Sequence, residues 1–177
     1  MTAVSVHPAS VGGFIDKLQE AFREGDPEAA SKAAEGENVR RLQELYRAVA
    51  RGDFGPLGAA LGEDIEMEML GPPGAPLVGR WRGRHQVAEA VRRNFSQLED
   101  QRAELLGVVA QGDTVVLLAR EQGVLRATGR RYDLHWAQWF TFRGGSIVRF
   151  RGLFDSAALL EAAHQGPAPD PGPVGSA

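Results

Sequence analysis

The feature that most limits the fold of this chain lies in residues 103–155. Two stretches, "AELLGVVAQGDTVVLLAREQGVL" and "RRYDLHWAQWFTFRGGSIVRFRGLFD", each hold two runs of aliphatic, β-branched and aromatic residues around a Gly-containing turn. That is the pattern of successive antiparallel hairpins. Four such strands side by side present a broad apolar face that other elements must cover. An earlier segment, "EDIEMEML" at 63–70, alternates acid and apolar residue and reads as the opening strand. Ile65, Met67 and Met69 share one face, and Asp64, Glu66 and Glu68 the other. Burying three neighbouring carboxylates costs far more than burying isoleucine and methionine. The methionines are therefore expected inward, and the acids in solvent or at a dimer rim.

The covering elements are helical. "NVRRLQELYRAVARGDF" puts Val39, Leu42, Leu45, Tyr46 and Val49 on one stripe, with Asn38 as a plausible N-cap and Gly52 as the stop. "PLGAALGED" reads as a short helix, and "RHQVAEAVRRNFSQL" as another with Val87, Val91, Phe95 and Leu98 inward. A last helix, "SAALLEAAH", starts after Asp155 or Ser156; Asp155 suits its cap better than a catalytic role. "GPPGAPLVGRWRG" reads as a loop. Near the start, "FIDKLQEAFREGD" carries Phe14, Leu18 and Phe22 at helical spacing, and "PEAASKAAEGE" reads as a helix start or a polar linker. Helices, a strand, a helix, four strands and a helix together indicate an α+β fold. Its curved antiparallel sheet wraps around helices and encloses a cone-shaped cavity. The boundaries expected are an extension at 1–37, one domain at 38–164, and a disordered Pro/Gly-rich tail at 165–177.

Composition narrows the function. Twenty basic against 23 acidic residues, net −3, give no polyanion footprint. The local clusters "RWRGR" and "RR" do not change that, so no nucleic-acid partner is expected. There is no cysteine, which removes disulfides, thiolate metal sites and thiol nucleophiles. No two of the four histidines have ligand spacing, so neither a metal nor another cofactor is expected. No membrane span and no secretion signal are read, which makes the cytoplasm the expected location.

Two stretches, "YRAVARGDFGPLGAALGEDIEMEM" and "LLAREQGVLRATGRRYDLHWAQWFTFRGGSIVRFRGLFD", resemble the nuclear transport factor 2-like superfamily in its SnoaL-like and ketosteroid-isomerase-like branch. The second, with its "G-R-x-Y-x-L" hairpin and "G-x-I-x-x-x-R-x-x-F-D" ending, is most similar to limonene-epoxide hydrolases. The resemblance spans about residues 38–163 and implies a cystatin-like α+β barrel with a cavity, hosting isomerases, hydrolases, cyclases or binders. It implies that Met67 and Met69 face that cavity. Carried over residue by residue, the known machinery is missing. The isomerase base position holds Met69, and the oxyanion tyrosine falls on Leu45 beside Tyr46. The oxyanion acid falls on Gln138. Of the hydrolase Asp-Arg-Asp relay only Arg120 remains, its acids matching Gln122 and Gly152.

The inward set implied is Met67, Met69, Arg120, Gln122, Val124, Leu134, Trp136, Gln138, Phe140, Phe150, Gly152 and Phe154, with Tyr46, Trp81 and Phe95 also lining the pocket. Glu121 has the opposite parity and is expected outside. So is His135, beside Asp133 and Trp139 on a face that would pack against a second subunit. A small-molecule-binding protein follows, with an apolar, aromatic pocket and an Arg/Gln strip. A buried arginine needs an acid, so a hydrophobic ligand is the expectation, and an anionic one unless Arg120 pairs with an acid from a helix or snorkels to the cavity mouth. The alternatives are an isomerase, cyclase or epoxide hydrolase with altered machinery, for which Arg120, Gln122 and Gln138 are the catalytic candidates, and a homodimeric interaction module. A one-residue slip in a strand would exchange its faces.

Overall fold

The structure, a computed structural model, describes residues 29–164; side chains are described from residue 33. The amphipathic segment around Phe14, Leu18 and Phe22 and the tail at 165–177 lie outside the described residues. Helix α1 (Ala29–Ala50) is followed by α2 (Gly55–Ala60), β1 (Leu61–Leu70), β2 (Gly79–Arg82) and α3 (Arg84–Ser96). Then come β3 (Leu98–Gln111), β4 (Thr114–Leu125), β5 (Arg130–Arg143), β6 (Ser146–Phe154) and α4 (Ser156–His164).

The six strands form one curved sheet in the order β2-β1-β6-β5-β4-β3. Only β1 and β6 run parallel; every other neighbour is antiparallel. The sheet does not close into a barrel. Its concave side holds the core with the helices, and Leu42, Ile65, Met67, Val87, Leu117 and Leu159 are among its most buried side chains. In β1 the methionines lie inward and the acids outward, as solvation requires.

Local chemistry ends the helices as read. Gly52 takes a left-handed φ of 75°, and its N–H and that of Asp53 close on the carbonyls of Val49 and Ala48. Asp155 Oδ1 accepts from Ala157 N at 3.2 Å, capping α4. Other readings change. Asn38 caps nothing: α1 starts at Ala29 and runs through it, leaving Asn38 buried within the helix. The segment read as a loop contains β2, an edge strand on β1.

Face assignment in β4 also changes, and the reason is the following turn. Residues 126–129 connect β4 to β5, and Leu125 pairs with Arg130. An even-numbered turn sets odd positions of β4 opposite even positions of β5. Leu134 and Trp136 face inward, so their partners Glu121 and Ala119 do as well. Arg120, Gln122 and Val124, expected inside, are on the convex face.

Candidate functional site

The cavity lies between the concave sheet and the helices, and consists of two adjoining lobes of about 140 and about 90 Å³. The larger is comparable to an engineered cavity that holds one benzene. Val91, Phe95, Gln101, Glu121, Trp136, Gln138 and Phe150 border both lobes. The walls are otherwise almost wholly apolar. Phe140 and Phe150 stack at 4.6 Å between centroids, and Tyr46 meets Phe140 edge-on at 6.5 Å.

Glu121 is the one charged residue among the described residues that line the cavity. Three donors converge on its carboxylate. Oε1 accepts from Tyr132 Oη at 2.7 Å and Gln101 Nε2 at 3.0 Å, and Oε2 accepts from Trp136 Nε1 at 3.0 Å. A carboxylate oxygen has room for a second donor, so Oε2 can still meet a ligand.

The sequence builds this cluster locally. Gly123 lies opposite Tyr132, and a Cβ there would come within 2.5 Å of the Tyr132 hydroxyl. The absent side chain is what lets the phenol lie across β4 to reach Glu121. On the other flank, the β3–β4 register shifts between Glu99 and Arg102, with Asp100 at a φ of 50°. This bulge adds a residue to β3, and Gln101, only 8% exposed, turns toward the carboxylate.

A second polar pair borders the cavity. Tyr46 Oη, from α1, donates to Gln138 Oε1 on β5. Burial first, and the charge of Glu121 second, hold the Tyr46 phenol far above the usual tyrosine range. Burial, Glu121's charge and the hydrogen bond to Glu121 do the same to Tyr132. Both phenols remain protonated donors.

Of the residues expected to line the pocket, Tyr46, Met67, Met69, Phe95, Leu134, Trp136, Gln138, Phe140 and Phe154 border the cavity. Arg120, Gln122 and Trp81 do not. Arg120 forms a fork on the convex face: Nε donates to Asp133 Oδ1 at 2.8 Å and Nη2 to Oδ2. Gln122 Nε2 adds a bond to the same Oδ2 at 2.8 Å. The arginine finds its acid on the neighbouring strand, in solvent, and the amide joins it. These bonds hold the Asp133 carboxyl down at about 2. Trp81 shares the face of Met67, but it lies beyond the far flank of α3, under the Arg93 guanidinium at 5.5 Å.

Glu121 was the residue missed. The length of the β4–β5 turn was the signal that could have found it, because five apolar residues in a row, 115–119, hide the parity of β4. Among the described residues no three of His, Asp and Glu gather as a metal-binding set. No described helix is long and apolar enough to cross a membrane.

Comparison with known proteins agrees with this architecture. The SnoaL-like domain family matches residues 42–150. An NTF2-like protein from Burkholderia xenovorans is 28% identical, with a TM-score of 0.62 over 72% of this chain and 95% of that one. A protein from Jannaschia sp. described as a SnoaL-like polyketide cyclase superposes with a TM-score of 0.68 at 18% identity, over 81% and 100% of the two chains. An LEH-like epoxide hydrolase from M. tuberculosis gives 0.57 at 22% identity, over 72% and 89%. No curated protein sequence matches.

Proposed function

Because the chain belongs to the SnoaL-like domain family, we propose that its cavity takes up a hydrophobic small molecule and that Glu121 is the polar group that meets it. The observation carrying this reading is the Glu121 carboxylate, the one charged group among the described residues of the lining, at the junction of two apolar lobes and bordering both. The anionic ligand inferred from Arg120 loses its support, since that guanidinium is matched by Asp133 on the opposite face. A carboxylate accepts hydrogen bonds and does not donate them, so the ligand is one that offers a donor.

The test is a thermal-shift screen of one-ring compounds with and without a donor, repeated on Glu121→Gln and on Val91→Trp. A ligand at 100 times its dissociation constant adds about 2.7 kcal/mol to stability. The expected result is stabilisation by donor-bearing compounds, weakened in Glu121→Gln and abolished by the bulk of Val91→Trp. Stabilisation that survives in Val91→Trp places binding elsewhere and ends the reading.

A second reading has one observation in its favour. Glu121 and the Tyr46–Gln138 pair border the same cavity lobe, so a base and a polarising group flank one space. This is the arrangement of a proton-transfer enzyme of isomerase, cyclase or hydrolase type. Incubating a cyclic ketone in D2O tests it. Exchange next to the carbonyl, lowered about 10²–10⁴-fold in Glu121→Gln, supports turnover. No exchange above the buffer rate leaves the binder.

We also propose a homodimer through the convex face. Leu106, Val109, Leu118 and Leu153 are large apolar residues left 42–58% exposed. Leu118, Ala137 and Leu153 lie side by side across β4, β5 and β6, which makes a continuous patch of the kind that marks an interface.

A further inference from the structure

We infer that the cavity ligand carries a positive charge: the site is built for a small hydrophobic amine, its ammonium on Glu121 and its body among the aromatic rings. This rests on the reading of the cavity as the working site and names the ligand class.

Every described donor on Glu121 is a neutral group: a phenol, an amide and an indole. Neither lobe is lined by lysine, arginine or histidine among the described residues. The carboxyl is an acceptor in all three bonds, and none of them brings it a positive charge. Hydrogen bonds from neutral groups satisfy its lone pairs but supply no countercharge in an apolar space, where charges interact strongly. A cationic ligand removes that imbalance. An anionic one doubles it.

The aromatic lining points the same way. Tyr46, Phe95, Trp136, Phe140 and Phe150 border the lobe that Glu121 enters. Ring faces attract ammonium groups, and most strongly alkylated ones stripped of water. A carboxylate with several rings around it therefore selects an alkylammonium over a neutral donor of equal size. The larger lobe has the volume for one ring, and the adjoining lobe for a short arm.

Three probes of one shape test this. N,N-dimethylbenzylamine is cationic at neutral pH, isobutylbenzene is its neutral carbon counterpart, and phenylacetate is an anion on the same ring and methylene. Binding of each to the full chain is measured by calorimetry, with the N-methyl protons of the amine followed by NMR. The expected result is a dissociation constant for the amine at least about tenfold below that of isobutylbenzene, with phenylacetate weakest. The N-methyl resonance should move upfield through ring currents, which a surface ion pair would not produce. In Glu121→Gln the preference of amine over hydrocarbon should vanish while isobutylbenzene binds as before.

The comparison within the wild-type chain does not depend on how that variant folds. If isobutylbenzene binds as tightly as the amine, or phenylacetate binds more tightly, the charge inference falls and the hydrophobic site stands. If none of the three binds at millimolar concentration, both fall.

Discussion

At the scale of single residues, Gly123 is what lets the Tyr132 phenol reach Glu121. Gly123 has no strained φ; what matters is the space it leaves for Tyr132. In Gly123→Ala the new methyl would meet the ring as well as the hydroxyl, so the phenol must leave Glu121. A cost of about 1–3 kcal/mol is expected from overpacking, read as a lower denaturation midpoint, together with weaker binding of any Glu121-dependent ligand. Asp133 gives a pH prediction whose sign is fixed. Its carboxyl is held down, by the hydrogen bond from Arg120 first and that from Gln122 second, to about 2. A lowered carboxylate contributes stability above its unfolded pKa of about 3.9 and loses it as pH falls through the folded value. Wild type should therefore lose stability relative to Asp133→Asn between about pH 4 and pH 2. The pair is exposed, so the difference should be small and should shrink in high salt. Urea midpoints across that range check both points. A gap that grows with salt would be inconsistent with an exposed ion pair.

At the scale of elements, α1 ties together parts of the sheet distant in sequence. Near its start, Glu35 Oε1 accepts from Gly112 N at 2.7 Å in the β3–β4 turn. One turn and a half later, Arg41 Nη1 donates to Gly145 O at 3.2 Å in the β5–β6 turn. Farther along, the same helix sends Tyr46 into the cavity to Gln138. The helix thus links two hairpin tips to the site. Glu35→Ala with Arg41→Ala should cost about 1–3 kcal/mol, taking each bond at its typical net worth. Amide exchange should quicken at both turns, while β1 stays protected. Equal protection of the turns in the variant and the wild type would mean that the helix is held by its apolar stripe alone.

At the scale of the whole molecule, the sheet has two faces with separate work. The concave face encloses the cavity, in which Glu121 is the one carboxylate among the described residues. The convex face divides into an apolar patch around Leu118 and Leu153 and a polar row in which Glu104, Arg120 and His135 lie side by side. If a second copy covers the patch, Leu118→Glu should halve the mass measured by light scattering at micromolar concentration. Cavity binding should survive, because Leu118 points away from it. A wild-type chain already monomeric at that concentration would remove the homodimer proposal.

Much of this was legible in the sequence, because it depends on short-range periodicity and solvation. Alternation in "EDIEMEML" determined that the methionines face inward, and the spacing of Leu42, Leu45 and Val49 determined the buried stripe of α1. The hairpin turns, the Gly52 stop and the Asp155 cap are equally local, and with the helix-strand order they were enough for the fold. The face of β4 was not readable in this way. Both of its parities are apolar from Val115 to Ala119, and both then turn polar at Arg120 and Glu121. Its neighbour decided between them, through a four-residue turn that fixed which residues lie opposite one another. Placing Arg120 in solvent beside Asp133 and Glu121 among three neutral donors is a property of strand pairing. No stretch of β4 contains it, because the groups that satisfy each charge come from β3 and β5.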